Sequence, residues 1–248
     1  MRRWAPFNPE VGFVQRTGIR KAFGEFAVKP RPGESIGWIR QFRPGVTLDY
    51  TTDQNNTLQT RAVNGSFTIE LENSGEIRLG YKSRFERLDE PFAIRPPQEI
   101  PVGDYQFADF SASFFTDRSR AFSGDAGIES GEFFDGEKDS YRLGFQLRPS
   151  YHFFADVGWE HDDVRLPSGD FINNLVTSNF RYSFNTTTFL NALIQYNSTL
   201  KEVSSNIRFN WIYKPLSDLF LVYNERRAST GEVVERALIA KLTYVFDF

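Results

Sequence analysis

One pattern recurs from residue 18 onwards: apolar and polar side chains alternate in segments of roughly ten residues, and turn residues separate the segments. Successive side chains of a β-strand point to opposite faces, so each segment predicts a strand with one apolar and one polar face. A clear case runs through Tyr141, Arg142, Leu143, Gly144 and Phe145. About thirteen to fourteen strands are predicted in this way, without convincing helical periodicity. The chain is therefore predicted to be all-β and antiparallel.

Such alternation fits either a soluble β-sandwich with one solvated face or an outer-membrane β-barrel whose apolar face contacts lipid. Aromatic residues make up 16% of the chain and charged residues 25%, and the mean hydropathy is -0.44. Abundant aromatic and charged residues together are what barrel strands carry on their two faces. No stretch of about 18 apolar residues exists, which excludes a transmembrane helix.

The lengths of the predicted connections favour the barrel. Short connections are expected near residues 72–75, 116–119, 148–150, 184–187 and 214–218, and longer ones near residues 87–106, 133–139, 162–170 and 227–233. Membrane barrels have short periplasmic turns and long extracellular loops, whereas a sandwich has no reason to alternate in this way. We therefore expect an antiparallel transmembrane β-barrel of the bacterial outer-membrane type.

One predicted strand contains Pro44 followed by Gly45. A proline within a strand removes a hydrogen bond from the ladder, and a glycine is common at irregular positions. We expect a β-bulge at this dipeptide that shifts the register of the strand.

The C-terminal segment from Arg236 to Phe248 alternates and ends on an aromatic residue. Its final residues, KLTYVFDF, resemble the C-terminal assembly signal of bacterial outer-membrane barrels, although Thr243 stands where glycine is usual. The resemblance assigns the aromatic positions of the signal to Tyr244, Phe246 and Phe248. It implies recognition by the barrel-assembly machinery and contact with outer-membrane lipid.

Residues 1–17 precede the predicted barrel domain, which spans residues 18–248. They begin with basic residues but lack an apolar core, so we do not expect them to act as an export signal. About thirteen strands would also place the two ends of the barrel on opposite rims, whereas bacterial barrels normally have an even number. Residues 6–16 could supply another strand, or further strands could lie upstream of Met1. We favour the second explanation, which makes the chain part of an incomplete barrel.

Charged side chains on the predicted polar face would line the interior of such a barrel. The residues assigned to the lumen are Arg78, Lys82, Arg84, Asp125, Glu129, Arg142, Arg148, Asp156, Glu160, Arg181, Arg208 and Lys241. They either pair across strands and fill the interior, or line a charged, water-filled channel whose selectivity they tune. The proline-rich residues 88–106 form either a rigid outer flap or a constriction of the lumen.

The two histidines do not point to catalysis or metal binding. His152 lies on the polar face of its predicted strand, where a lumen position is the ordinary interpretation. His161, Asp162 and Asp163 begin a predicted long loop, and neighbouring strand residues point to opposite sides. No Gly-x-Ser-x-Gly elbow is present.

The sequence also argues against a calcium site, a cysteine-based site and a nucleic-acid-binding site. An acidic loop contains Glu132, Asp135, Glu137 and Asp139 but lacks the EF-hand spacing for calcium. Cysteine is absent, so there is no disulfide framework, no thiol nucleophile and no cysteine metal site. The net charge is -3 without a basic cluster, so nucleic acid is not an expected partner. No catalytic residue, metal site or cofactor is predicted.

Several stretches across nearly the whole chain together resemble the C-terminal barrel of the domain-of-unknown-function family 5916. They are residues 7–14 (FNPEVGFV), 39–42 (IRQF), 84–92 (RFERLDEPF), 166–171 (LPSGDF), 192–197 (ALIQYN), 203–209 (VSSNIRF), 211–215 (WIYKP) and 218–225 (DLFLVYNE). Longer members look like secreted proteins with an N-terminal sugar-binding module similar to carbohydrate-binding module family nine. This sequence lacks that module, so the resemblance implies the barrel and its location but no established activity.

These observations predict a non-enzymatic outer-membrane barrel, serving as a channel or import barrel for small solutes. Saccharides are candidate solutes, because the longer relatives carry the sugar-binding module. A surface-display or binding platform for an absent carbohydrate-binding domain is the main alternative. An outer-membrane hydrolase is the remaining alternative function.

Overall fold

The computed structural model describes residues 18–95 and 97–246, and these residues are almost entirely β-structure. The strands are β1 (Ile19–Ala27), β2 (Ile39–Asp53), β3 (Leu58–Leu71), β4 (Glu76–Leu88), β5 (Phe92–Arg95), β6 (Gln98–Ile100), β7 (Gly103–Phe115), β8 (Phe122–Phe133), β9 (Gly136–Leu147), β10 (Phe153–Arg165), β11 (Phe171–Ser183), β12 (Thr188–Asn197), β13 (Glu202–Lys214), β14 (Ser217–Ala228) and β15 (Val233–Thr243). One 3₁₀ turn, Gly33–Ile36, lies between β1 and β2. Within the described ranges no helix has the length and apolar character needed to cross a membrane.

Thirteen strands form one antiparallel sheet in which neighbours in sequence are neighbours in space. The exception is the short β5–β6 hairpin, which is inserted between β4 and β7 and stands outside this sheet. Strands β1 and β15 each pair on one side only, so the sheet is not closed among the described residues. The predicted all-β class and the approximate number of strands are confirmed. A closed transmembrane barrel stays a prediction.

The register gives the sheet two chemically different faces. We call one the polar face; it carries Lys82, Asp109, Glu129, Arg142 and Glu160, which the strand pairing places on the same side. The opposite side, the apolar face, carries Tyr81, Phe110, Ile128, Leu143 and Trp159. The sequence alternation therefore continues coherently from strand to strand.

The apolar face is exposed rather than packed against a second layer. Phe110 is 66% exposed, Leu238 75% and Leu242 69%. Water-soluble monomers seldom expose contiguous apolar patches beyond a few hundred Å². A single sheet with an uncovered apolar side differs in this respect from the soluble sandwich considered above, in which two sheets enclose a core.

The main packed core lies at one end of the sheet, beneath the β5–β6 hairpin. Ile100 is fully buried against Val164 and Leu166, which are 3% and 6% exposed. Partly buried residues that pack around them are Leu88, Ile94, Tyr105, Phe133, Phe134 and Phe171. Most of these come from the polar face near its rim. The hairpin therefore folds over the polar face instead of extending away from the sheet.

The predicted alternation of short and long connections is wrong. The expected long loop at residues 133–139 is a tight turn formed by Phe134 and Asp135, and β10 continues through Arg165. The rim predicted to have short turns carries the longer connection of residues 28–38. Residues 89–102 alone match the long loops expected. Cross-strand pairing explains the difference, since Arg165 binds Asp139 at 2.6 Å and Glu137 at 3.3 Å and these acidic residues belong to β9.

The bulge predicted at Pro44 and Gly45 is also wrong. Their pairing with β3 is continuous, and the register shifts lie at Ile39/Gln41 and Thr51/Thr52. The carbonyl oxygen of Pro44 accepts a hydrogen bond from the N–H of Val28 at 3.1 Å, beyond the last residue of β1. The missing N–H of the proline therefore faces Val28, just beyond β1, so the only ladder bond lost lies at the end of that strand.

The last strand ends earlier than predicted. Strand β15 stops at Thr243, which pairs with Asp218 near the first residue of β14. Beyond this point β14 has no further backbone groups with which β15 could pair. The N–H of Val245 instead donates to the Ser217 hydroxyl at 3.0 Å. Tyr244 and Phe246 therefore lie outside the strand, and Phe248 lies outside the described residues.

Candidate functional site

A network of ion pairs crosses the polar face at β4, β7 and β8. The Nζ atom of Lys82 lies 3.0 Å from the Glu129 carboxylate and 3.9 Å from that of Asp109. Arg84 donates to the other oxygen of Asp109 at 2.9 Å. The Asp109 side chain is only 7% exposed, so its charge depends on these two cations. Alternation places the four residues on one side of three neighbouring strands.

The network has a counterpart on β9 and β10. Arg142 and Glu160, which are direct partners in the register, lie 3.5 Å apart. Lys138 lies 3.3 Å from Asp162, and the Ser140 hydroxyl donates to the same carboxylate at 2.6 Å. Positive and negative charges are therefore interleaved across the polar face.

The remaining residues predicted to line a lumen also map to this face or its rim. Arg78 stacks over Phe115 at 4.3 Å, and Arg118 binds Asp125 at 3.1 Å. Further contacts are those of Arg148 with the Arg118 carbonyl, Arg181 with Asn191, and Arg208 with Asn206. Asp156 and Lys241 are exposed. Most of these charges are therefore paired with other groups on the polar face, and a lumen lined by them stays a prediction.

A cavity of about 1070 Å³ lies between the β5–β6 hairpin and the polar face of β1 to β4. Its aromatic wall consists of Phe92, Phe107, Phe133 and Phe134. The ring of Phe134 lies 5.0 Å from that of Phe107 and 6.1 Å from that of Phe92. Its polar wall consists of Lys21, Asp49, Thr51, Thr60, Arg84 and Glu86.

Sequence reasoning missed this cavity because its residues come from distant parts of the chain. One local signal was available. Phe133 and Phe134 are adjacent, so they interrupt the alternation of β8, and Asp135 and Gly136 follow as turn residues. A Cβ at Gly136 would lie 2.0 Å from the Arg165 carbonyl oxygen, so the close approach of β10 to the end of this turn requires glycine there. The turn brings Phe134 to the mouth of the cavity.

The histidines occupy ordinary hydrogen-bonded positions. Nδ1 of His152 lies 2.6 Å from the Ser183 carbonyl oxygen, and Nδ1 of His161 lies 2.9 Å from the side-chain oxygen of Asn174. His161 was expected to begin a loop but lies within β10, on the opposite face from Asp162. No cluster of three or more metal-ligating side chains occurs in the described part of the chain.

The acidic residues predicted to share a loop are divided between two strands and a turn. Arg165 neutralises Glu137 and Asp139, and the Glu132 carboxylate accepts a hydrogen bond from the N–H of Ala108 at 3.0 Å. These contacts use oxygens that a calcium ion would need.

On the opposite rim, hydrogen bonds from Ser119 lower the pKa of Asp117, and the N–H of Ser119 donates to it at 2.8 Å.

The aromatic residues of the predicted assembly signal are close together where they are described. The rings of Tyr244 and Phe246 lie 4.5 Å apart, and Phe246 is 69% exposed. The hydroxyl of Tyr213 donates to the Thr243 carbonyl at 2.7 Å, which fixes the end of β15 against β13.

No known family model, curated protein or solved structure matches this chain. The structure itself shows an antiparallel all-β sheet with one polar and one apolar face. The resemblance to family 5916 stays a prediction.

Proposed function

We propose that this chain forms most of an outer-membrane β-barrel that acts as a non-enzymatic channel or import barrel for small solutes. The observation that carries the proposal is the continuous, exposed apolar face of the sheet, together with charges paired on the opposite face. Lipid would cover the apolar face, and the polar face would line the interior.

Closure of the sheet requires more than the thirteen strands described. In a meander of thirteen antiparallel strands, β1 and β15 run in the same direction. Joining them directly would make a parallel pair, whereas one additional strand allows every pair to be antiparallel. Open edges are costly in lipid because unpaired backbone groups find no water there. We infer that a strand from outside the described residues lies between β1 and β15.

The paired charges favour neutral solutes over ions. Each cation of the central network faces a carboxylate, so the interior surface there has little net charge to attract one ionic species. Small neutral polar solutes, including saccharides, are therefore the proposed cargo. The C-terminal aromatic residues would engage the assembly machinery, as the sequence predicts.

Cysteine substitution tests which face meets lipid, and the absence of native cysteine makes the labelling specific. Phe110 and Ser111 are adjacent on β7 and lie on opposite faces. In lipid vesicles, Phe110→Cys should be shielded from a water-soluble maleimide, whereas Ser111→Cys should react through the pore. A chain that remains folded and monomeric without detergent or lipid would overturn the proposal.

Conduction is tested separately by single-channel recording in planar bilayers and by swelling of liposomes in neutral sugars. Stepwise conductance and swelling are expected, with little preference between small cations and anions. If the protein inserts into the membrane correctly but gives neither conductance nor swelling, the channel role is ruled out and the barrel architecture is not.

A further inference from the structure

We propose that the cavity beneath the β5–β6 hairpin binds small neutral ring compounds that carry hydroxyl groups on one side and an apolar face or aryl substituent on the other. The site deepens the proposed function and rests on it for access from the pore. Its volume of about 1070 Å³ is slightly above the usual range of about 300–1,000 Å³ for small-molecule pockets.

The backbone at Phe134 has a conformation that is uncommon for phenylalanine. Its φ is 55°, in the left-handed region that glycine, asparagine and aspartate usually occupy. It is the first residue of a two-residue β-hairpin turn, and glycine would be less strained at this position. Here the strained residue places its ring in the cavity wall.

The aromatic wall is suited to a ring with an apolar face. Phe134 contacts Phe107 and Phe133 with ring centroids 5.0 and 5.1 Å apart, so these three rings support one another. Phe92, by contrast, is 48% exposed and comes from the hairpin that roofs the cavity. An apolar ring face laid on the exposed side of Phe92 would be buried against this aromatic wall.

The polar wall excludes charged ligands more strongly than neutral ones. Lys21 binds Asp49 at 2.8 Å, and Arg84 binds Asp109 at 2.9 Å. An ionic ligand would have to compete with these internal ion pairs and would lose its own hydration. Hydroxyl groups can instead add hydrogen bonds to the paired carboxylate of Asp49 and to Thr51 without breaking a pair. The chemistry therefore favours a neutral hydroxylated ligand.

Isothermal titration of the full chain in lipid nanodiscs tests the site. The probes are 4-nitrophenyl β-glucoside, which is neutral, and 4-nitrophenyl phosphate, which has the same aryl group but is anionic. Saturable binding of the glucoside, with at least tenfold weaker binding of the phosphate, is expected. Absence of saturable glucoside binding, or equal binding of both probes, would overturn the proposal.

Two variants locate the binding. Phe92→Ala and Phe134→Gly should each weaken glucoside binding about tenfold, and glycine also suits the positive φ of position 134. The matched control is Phe122→Ala, because Phe122 is 62% exposed and lies outside the cavity lining. Equal affinities in all three variants would show that the cavity is not the site. Conductance of the same protein in planar bilayers separates the two claims. If the protein conducts but does not bind the glucoside, only the cavity proposal is overturned.

Discussion

Lys82 on β4 and Glu129 on β8 form an ion pair of 3.0 Å that reaches across the intervening strand β7. Asp109 on β7 lies beside this pair and is held by Arg84 at 2.9 Å. A slip of one residue between neighbouring strands would move these charges to the apolar face. The network therefore helps to fix the register of three strands, in addition to giving the polar face its charge balance.

Removing Lys82 should destabilise the fold. We expect Lys82→Met to lower the free energy of unfolding by about 1–3 kcal/mol, because Glu129 loses its partner and buried Asp109 keeps only Arg84. The cost stays below that of a fully buried pair, since the Lys82 side chain is 36% exposed and solvent screens it. Urea unfolding of the chain refolded in lipid vesicles measures the change.

Lys241→Met is the matched control, because Lys241 is an exposed cation on the same face. Its effect should stay within about 0.5 kcal/mol. Equal losses in the two variants would mean that the network does not stabilise the register.

The strands and their faces could be predicted because the signal is local. In residues 141–145, for example, the alternation alone assigns each side chain to a face, and the register with β8 and β10 agrees. The β5–β6 hairpin could not be predicted, because its anchor Ile100 packs against Val164 and Leu166, far away in sequence. No local pattern encodes such a contact.

The error on loop lengths has a similar origin. Polar residues such as Glu137 and Asp139 were assigned to a loop by composition, but Arg165 on the neighbouring strand pairs with both. Cross-strand charge pairing keeps polar residues in a strand where a sequence reading expects a turn. The cavity was missed for the same reason, since its walls come together only through the register.

Shortening the hairpin anchor should release the hairpin without unfolding the sheet. Ile100→Ala removes a fully buried side chain, which typically costs about 2–5 kcal/mol. We expect faster amide hydrogen exchange in residues 92–100, with unchanged exchange in β9 and β10. Val102→Ala is the control, because Val102 is 57% exposed. Global loss of protection in Ile100→Ala would show that the hairpin is part of one cooperative unit.

Asp117 should make the stability of the β7–β8 turn depend on pH. Hydrogen bonds from Ser119 lower the pKa of Asp117 in the folded state, so its contribution is present above the unfolded-state pKa. That contribution is lost as the pH falls through the lowered, folded-state pKa. The difference in urea midpoint between the native chain and Asp117→Ala should therefore shrink on acidification. A constant difference across the acidic range would argue against a role for the ionised carboxylate.

Ile194 and Leu193 on β12 provide a matched test of which face meets lipid. They are adjacent, similarly exposed at 39% and 36%, and lie on the apolar and polar faces respectively. Ile194→Arg should cost about 2–4 kcal/mol of folding free energy if it faces the bilayer midplane. Leu193→Arg should cost much less, because the guanidinium would enter the polar interior near Gln195 and Glu235. Urea unfolding in vesicles measures both; equal costs would mean that lipid does not distinguish the two faces of the sheet.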